Sequence, residues 1–223
     1  TCRMLLTHQS SLTDAAGYSF PVRTALQSVL QANAANPSGD RTWAEAKPGS
    51  FFQYCNLNYG VLASVMELAS GKRFDRLMQA EVLAPLGMAG GFYPALFNPA
   101  MLAQVATIYR KQDRKGQWDA NGPWVAQTDN FRDKPPSQMD GLARYEIGGN
   151  GTLFNPQGGL RTRVKDLGAV MQMLMNNGEF SGHPFLTPKS ISTLMAEQWR
   201  YDPVRRNGDS LHGMFQAWGL GLQ

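Results

Sequence analysis

Between Asn58 and Ser70, the apolar side chains recur at the spacing of a helix. They share one helical face, which comprises Val61, Leu62, Val65, Met66 and Ala69. A stripe of this kind predicts an amphipathic helix that packs against a core. Gly71 follows directly, where helices commonly end because glycine adopts a left-handed backbone without strain. The segment therefore predicts one well-defined helix, and the fold has to bury part of its surface.

Other helices are predicted by similar spacing together with start and stop residues. Ser, Thr, Asp and Asn favour helix N-caps, and proline favours the first helical position but interrupts a helix interior. On these grounds we expect helices from Leu26 to near Ala34, from Phe74 to Val82 before Pro85, near Met101 to Tyr109, from the N-cap Thr162 to Gly178, and from Thr187-Pro188 to about Gln198.

The remaining segments are expected to be irregular. Residues 36–40 have loop composition, and residues 89–150 are rich in Pro, Gly, Asn and Gln. Pro135-Pro136 excludes a continuous helix there. Strand is expected only near the chain ends and around Phe51 to Tyr54. The pattern as a whole predicts a mostly α chain with short strands at its edges.

Composition and charge narrow the possible partners. The 223 residues are 43% hydrophobic and 17% charged, which is ordinary for a globular protein. The net charge is 21 − 17 = +4, and the basic residues are scattered rather than gathered on one arm. The nearest to a cluster is Arg110 to Lys115, which we interpret as a solvated loop. We expect no nucleic-acid partner, and no apolar run approaches the roughly 18 residues of a membrane span.

Several common site motifs are absent from the sequence. It contains no HExxH and no metal-spaced Cys/His cluster, so no metal site is expected. The glycines at 148–151 and 157–159 match neither GxGxxG nor a Walker loop, and no GxSxG elbow occurs. Cys2 and Cys55 are the two cysteines, and the sequence does not decide whether they pair. The histidines are His8, His183 and His212, with no serine in an elbow context beside them.

Five stretches of the sequence are informative as a set, because each of them alone is a weak signal. They are TCRMLLTHQSSL at 1–12, KPGSFFQYCN at 47–56, NYGVLASVMELASG at 58–71, EVLAPLGM at 81–88 and the segment 156–175. In order and spacing they resemble LLTHTSGL, PGxxFxYSN, NYxLLGxIIExxSG, IFxPLGM and PxGGLxSTAxDLAxFxQMLLN of the penicillin-recognising serine hydrolases. Within that superfamily they are most similar to the branch of class C β-lactamases, DD-carboxypeptidases and esterases.

That family is known for three active-site motifs, of which the chain contains one. The motifs are Ser-x-x-Lys with the acylating serine, Tyr-x-Asn, and Lys-Thr-Gly or His-x-Gly on a strand. Only the second is present, as Tyr54-Cys55-Asn56, since no serine has a lysine three residues later. In the family's order, the first motif lies before Thr1 and the third beyond Gln223. The resemblance implies a single partial domain over 1–223, the helical domain of an α/β β-lactamase-like, DD-peptidase-like fold that lacks its N- and C-terminal sheet segments.

The resemblance also implies roles for particular residues. Tyr54 would share proton transfer with the missing lysine, since nearby cations lower the pKa of a phenol. Asn56, with one acceptor and two donor positions, would hold the lysine and the substrate amide. Gly158 and Gly159 would approach the cleft and contact substrate. We interpret Cys55 as a packing residue and His8 as a residue that orders its loop.

The expected function is that of a serine hydrolase fragment. Its parent would acylate a serine with an ester, a β-lactam or a D-alanyl peptide and hydrolyse the acyl-enzyme, without a cofactor, while this chain alone would be inactive. Two alternatives stay open. One is a non-catalytic binding module that kept the helical domain, and the other is an unrelated hydrolase that uses His8 or His212. The resemblance suggests a periplasmic or secreted protein, although a cytoplasmic one stays open, and the oligomeric state is undetermined.

Overall fold

A computed structural model describes residues 1–31 and 42–223 of the chain. The loop expected at 36–40 and the helix end expected near Ala34 lie outside these residues. The α-helices of the described part are α1 (Cys2–Leu6), α2 (Leu26–Leu30), α3 (Leu57–Ser70), α4 (Phe74–Met78), α5 (Pro99–Leu102), α6 (Val164–Met175) and α7 (Pro188–Met195). A π-helix at Gln79–Leu83 continues α4, and 3-10 turns lie at Pro94–Leu96 and Leu142–Arg144.

The strands pair two by two, and all four pairs are antiparallel. They are β1 (Gly90–Gly91) with β4 (Arg161–Thr162), β2 (Ile108–Lys111) with β3 (Trp124–Thr128), β5 (Glu179–Phe180) with β6 (His183–Pro184), and β7 (Trp199–Arg200) with β8 (Ala217–Trp218). In the described part of the chain these pairs do not join into a larger sheet.

The prediction of a mostly α chain is wrong. The structure is 30% helical and 13% strand, so turns and irregular segments hold most residues. The cause is visible in the composition, since 23 glycines and 13 prolines are spread along the chain. Proline removes a helical hydrogen bond, and glycine loses more backbone entropy on ordering than other residues. Of the described helices, only α3 and α6 exceed ten residues.

The helix predicted at 58–70 is confirmed as α3, but its most buried face differs from the predicted one. Gly71 ends the helix in the left-handed conformation, with φ of 67°, as expected. Of the predicted face, however, Val65 is 40% exposed and Ala69 is also exposed. Apart from Leu57, the buried positions are small or polar, and they comprise Asn58, Gly60, Ala63, Ser64 and Glu67.

Close packing against the turn at 150–153 explains that choice of face. A Cβ atom on Gly151 would lie 2.3 Å from the carbonyl oxygen of Gly60 and from the Ser64 nitrogen. The Gly151 N–H donates to the Ser64 hydroxyl at 2.8 Å. Small side chains on α3 let the two backbones touch, and larger apolar residues would hold them apart.

A buried carboxylate fixes the other end of α3. Glu67 is fully buried and accepts hydrogen bonds from the N–H groups of Phe74 and Gly148 at 2.7 and 2.8 Å. The Tyr145 hydroxyl donates to the same carboxylate at 2.5 Å. Glu67 therefore joins α3 to the start of α4 and to the turn before residue 150.

The other predicted elements differ in outcome. The helix expected at 74–82 is confirmed, as α4 and its π continuation to Leu83. The helix expected near Met101 to Tyr109 is wrong, because α5 ends at Leu102 and β2 begins at Ile108 to pair with β3. No regular strand forms at 51–54, where Phe52 makes a single bridge to Gly208, and residues 2–6 near the chain start are helical rather than extended.

The two predicted helix caps also differ in outcome. Thr187 caps α7 as predicted, with its hydroxyl accepting from the Ser190 N–H at 3.1 Å. Thr162 does not cap α6, because its hydroxyl donates to the Ala89 carbonyl across the β1–β4 pair. Arg163 takes the cap position instead and holds the Asp166 carboxylate with two hydrogen bonds.

Candidate active site

The Tyr54-Cys55-Asn56 segment enters α3 from its N-terminal side. Asn56 is the N-cap residue of α3, although its own side chain does not cap the helix. Asp14 does so instead: one carboxylate oxygen accepts from the Leu57 N–H at 2.9 Å, and the other accepts from the Asn56 N–H at 2.9 Å. A carboxylate at this end of a helix satisfies free N–H groups and interacts favourably with the helix dipole.

Asp14 also fixes the side chains of the motif. The Asn56 side-chain amide donates to Asp14 at 2.8 Å, which leaves its oxygen, Oδ1, pointing away from Asp14. The Tyr54 hydroxyl donates to that oxygen in a long contact of 3.5 Å. One carboxylate therefore sets both the start of α3 and the orientation of Asn56 toward Tyr54.

The Tyr54 ring lies between two other aromatic rings. His8 stacks on one side with 4.5 Å between ring centroids, and Phe215 stacks on the other at 5.4 Å. Phe215 belongs to a buried aromatic group that also contains Phe52, Trp199 and Trp218. Stacking on both sides fixes the ring plane of Tyr54 while the side chain stays half-buried.

His8 joins the segment at 1–12 to the motif. It is 1% exposed, and its Nδ1 accepts from the Cys55 N–H at 3.1 Å and lies 3.2 Å from the Asn58 amide nitrogen. The ring proton therefore belongs on Nε2, which has no hydrogen-bond partner among the described residues. Burial lowers the pKa of His8 from 6.5 to about 4, which the nearby Asp14 carboxylate only partly opposes. His8 is thus a neutral ring that orders the loop, in agreement with its interpretation as a structural residue.

The electrostatic surroundings of Tyr54 keep its phenol protonated. Burial raises the pKa of Tyr54, and the negative charge of Asp14 raises it further. The sequence-based expectation of a lowered pKa relied on a lysine that this chain does not contain. The described residues alone therefore hold Tyr54 as a proton donor rather than as a base.

Cys55 is buried, and its thiol has low reactivity. Burial, followed by the charge of Asp14, raises the pKa of the Cys55 thiol to about 12, so the reactive thiolate is scarce near neutral pH. The thiol lies 3.3 Å from an Asp14 oxygen. Both cysteines are free, with Cys2 exposed and Cys55 buried, and Cys55 is a packing residue as interpreted.

The two glycines proposed for substrate contact have different surroundings. Gly158 is exposed and lines a cavity of about 650 Å³ together with Phe97, Met101, Leu160 and the ion pair between Asp129 and Arg161. Gly159 is buried, and its carbonyl accepts from Arg161 at 2.7 Å. Neither Tyr54 nor Asn56 lines this cavity, so the structure does not unite the four sequence-predicted residues in one pocket.

The remaining histidines are both exposed. His183 is an exposed residue of β6, and His212 is exposed in a turn with φ of 58°. Within 1–31 and 42–223, no helix combines the length and the apolar character that a membrane crossing needs.

Sequence reasoning missed Asp14, Phe215 and Trp218. Asp14 lies 42 residues before Asn56 and has no local pattern that marks it as a helix cap. Trp218 reaches the site from β8, where its ring packs edge-on against His8 at 4.9 Å. A resemblance that begins with the LLTH-like segment could have drawn attention to Asp14, but only its contacts reveal its role.

The comparisons with known proteins identify the family of the chain. The family model described as Beta-lactamase matches residues 1–223. The protein named "Putative D-alanyl-D-alanine carboxypeptidase" of Escherichia coli O157:H7 is 28% identical over 156 residues, which are 68% of this chain and 33% of that protein. The protein of the same name from Escherichia coli strain K12 is 28% identical over 145 residues. The chain spans about a third of the length of these curated relatives.

Solved structures with low sequence identity share the fold. The penicillin binding protein from Bacillus halodurans aligns with a TM-score of 0.59 at 20% identity, covering 98% of this chain and 54% of that one. The octameric penicillin-binding protein homologue from Pyrococcus abyssi aligns with a TM-score of 0.56 at 21% identity over 98% of this chain and 42% of that chain. The D-amino acid amidase from Ochrobactrum anthropi SV3 aligns with a TM-score of 0.56 at 18% identity, covering 99% of this chain and 53% of that chain.

Proposed function

The chain belongs to the Beta-lactamase family, and from this premise we propose that it is the central part of a serine hydrolase. It forms a single partial domain over 1–223 whose Tyr54 and Asn56 serve the active site. The serine and lysine of the first family motif, and the third motif, are supplied by sheet segments outside these residues. Two observations support this proposal. The 223 residues contain neither the first nor the third motif, and they span about a third of the length of the curated relatives.

The observation that carries the proposal is the geometry of Tyr54 and Asn56. The Tyr54 ring is fixed between His8 and Phe215, and Asp14 orients the Asn56 amide beside its hydroxyl. Positioned donors and acceptors of this kind lower the cost of reaching a transition state, because they do not have to be ordered during the reaction.

The chemistry follows from those two side chains. The serine oxygen attacks a substrate carbonyl carbon, and its proton passes to the Tyr54 oxygen. The bond between that carbon and the leaving group then breaks, and Tyr54 gives the proton to the leaving group. Water afterwards attacks the acyl-enzyme, which releases the acid and restores the serine hydroxyl. For this step Tyr54 has to lose its own proton first, and the cationic lysine of the first motif favours that loss by opposing the effect of Asp14. Asn56 holds the lysine and the substrate amide through its side-chain amide.

Substrates of the parent enzyme are small molecules or peptides with a reactive carbonyl. An ester, a β-lactam and a D-alanyl peptide all fit the proposed acylation. Of the two glycines, Gly158 is the candidate for substrate contact because it is exposed whereas Gly159 is buried. Gly159 instead helps to position Arg161, because its carbonyl oxygen accepts a hydrogen bond from that side chain.

The chain by itself is proposed to be inactive, and a labelling experiment tests this. The purified chain is incubated with a fluorophosphonate and with a penicillin, and its intact mass is recorded. We expect no adduct, because the described residues provide no activated serine. A stoichiometric adduct on the chain alone would contradict the assignment of roles.

A second experiment tests Tyr54 in the longer protein, in which the flanking segments of the gene are added back to the chain. Tyr54→Phe should lower the acylation rate at least 100-fold, since general acid–base groups contribute about 10²–10⁴. Tyr59→Phe, which removes the same atom from another ring near His8, is the matched control and should change the rate less than about threefold. If flanking segments without Ser-x-x-Lys are found, the alternative of a non-catalytic binding module replaces this proposal.

A further inference from the structure

The β2–β3 hairpin presents both of its faces to solvent. Residues 108–128 contain five large apolar side chains that are between 40% and 65% exposed: Ile108, Tyr109, Trp118, Trp124 and Val125. A two-stranded hairpin buries too little surface to be stable by itself in water. So many exposed large apolar side chains within one hairpin suggest a binding partner.

The strand register divides the aromatic rings between the two faces. Lys111 lies opposite Trp124 and Tyr109 lies opposite Ala126, so Tyr109, Lys111 and Trp124 share one face. Trp118 lies opposite Gln112, which places it on the other face with Arg110. The rings therefore flank the hairpin on both sides and do not line a groove.

The same segment is positively charged at its tip. Residues 108–128 contain Arg110, Lys111, Arg114 and Lys115 against Asp113 and Asp119, which gives 4 − 2 = +2. The Asp113 carboxylate accepts from the backbone N–H groups of Lys115 and Gln117 and is thereby tied to the turn. Arg114 and Lys115 are exposed beside it. The Lys111 ammonium lies over the Trp124 ring, 5.6 Å from its centroid.

We propose that this hairpin binds the surface of an anionic lipid membrane. Tryptophan and tyrosine rings prefer the interface between lipid headgroups and acyl chains, because one part of the ring is apolar and another donates a hydrogen bond. Arg114 and Lys115 bind the lipid phosphates, and the apolar side chains on both faces enter the headgroup region. The hairpin inserts into the headgroup region and does not cross the membrane, since it is far too short.

The distribution of side chains favours lipid over single-stranded nucleic acid. Proteins that bind single strands align stacking rings along one positively charged groove. Here the rings lie on opposite faces, and Lys111 covers one side of the Trp124 ring. Ile108 and Val125 gain from burial among lipids but have no role in base stacking. A lipid surface surrounds an inserted hairpin on both faces, which matches the observed arrangement.

The test is vesicle co-sedimentation with the protein that carries the flanking segments of the gene. One set of vesicles contains phosphatidylcholine alone, and the other also contains phosphatidylglycerol. We expect binding only to the anionic vesicles, weakened by salt because exposed charges are screened. Tryptophan emission should shift to the blue on binding, because Trp118 and Trp124 leave water.

Matched variants assign the binding to the hairpin. Arg114→Gln/Lys115→Gln should weaken binding roughly 30-fold, since each basic residue near an anionic surface contributes about fivefold. Lys165→Gln/Lys189→Gln removes the same charge from exposed positions elsewhere and should change binding less than about twofold. Trp118→Ala should reduce the emission shift and weaken binding, while thermal unfolding verifies that the chain still folds.

Three results would overturn the proposal. They are no binding of the wild-type chain to anionic vesicles, equal losses in the hairpin and control charge variants, and unchanged binding and emission shift in a folded Trp118→Ala variant. Tight binding of a single-stranded oligonucleotide that Arg114→Gln/Lys115→Gln and Trp118→Ala both abolish, without vesicle binding, would identify nucleic acid as the partner instead.

Discussion

The Asp14 carboxylate accepts hydrogen bonds from both the backbone N–H and the side-chain amide of Asn56, at 2.9 and 2.8 Å. The pair spans 42 residues of sequence and joins the loop after α1 to the first turn of α3. Because Asp14 satisfies the helix N-terminus, the Asn56 side chain is free to face Tyr54. The geometry of the candidate site therefore depends on a residue outside the recognised motif.

Replacing Asp14 tests this dependence. Asp14→Ala leaves the N–H groups of Asn56 and Leu57 without their acceptor, so we expect a loss of about 2 kcal/mol in the free energy of unfolding. Asp14→Asn, which keeps one oxygen, should lose less. Urea unfolding measures both variants, with Asp140→Ala as the control at an exposed carboxylate. Equal stability of Asp14→Ala and the control would contradict the assigned capping role.

The depressed pKa of His8 predicts a stability that falls with acid. The unfolded chain binds a proton near pH 6.5, whereas the folded chain resists it until about pH 4. Stability linked to His8 is therefore complete above pH 6.5 and declines as the pH falls through this window, by up to about 3 kcal/mol.

Urea unfolding at several pH values between 4 and 7.5 provides the measurement. His8→Asn keeps an acceptor near the position of Nδ1 but cannot titrate, so its stability should depend less on pH in this window, although it loses ring stacking. His212→Asn removes an exposed histidine and should retain the wild-type slope. A wild-type slope in His8→Asn would show that His8 is not the titrating group.

The two cysteines should differ sharply in reactivity. Cys2 is exposed, whereas burial and the nearby Asp14 raise the pKa of Cys55 to about 12. Iodoacetamide at neutral pH should add one group to the native chain and two to the urea-unfolded chain, because only unfolding exposes the second thiol. Cys2→Ser should abolish native labelling as seen by intact mass. Rapid modification of Cys55 in the folded chain would mean that the motif is open to solvent.

Glu67 is expected to stabilise the fold through its acceptor capacity. Glu67→Gln turns one acceptor oxygen into a donor, so the Gly148 N–H or the Phe74 N–H loses its partner inside the protein. We expect a loss of about 3 kcal/mol, since a buried unsatisfied group costs about 1–3 kcal/mol. Glu81→Gln, at an exposed ion pair with Lys72, should cost less than about 1 kcal/mol. Thermal unfolding compares the two, and similar losses would contradict a special role for Glu67.

Much of the local structure could be predicted from the sequence because its causes are local. The bounds of α3, its Gly71 terminus and the Thr187 cap of α7 follow from residues within a few positions of each other. The Tyr54-Cys55-Asn56 motif and the family were also recognisable, since short segments in a fixed order carry them.

Other features required the tertiary structure because distant residues decide them. Residues 108–111 form a strand rather than part of a helix since residues 124–128 pair with them, and α3 buries its small and polar face because the Gly151 turn approaches it. The balance between helix and irregular structure was misjudged for the same reason, since helical spacing does not show where turns and long-range pairing interrupt a helix.

The sequence by itself determined the family, the helix predicted at 58–70 and the position of the Tyr54 motif along the chain. Only the tertiary structure decided how that motif is held, with Asp14 on its backbone, His8 and Phe215 on the Tyr54 ring, and Gly158 in a separate cavity. The physical reason is that hydrogen bonds and ring stacking act over a few ångströms in space. The residues that make them here lie from 42 to 161 positions apart along the chain.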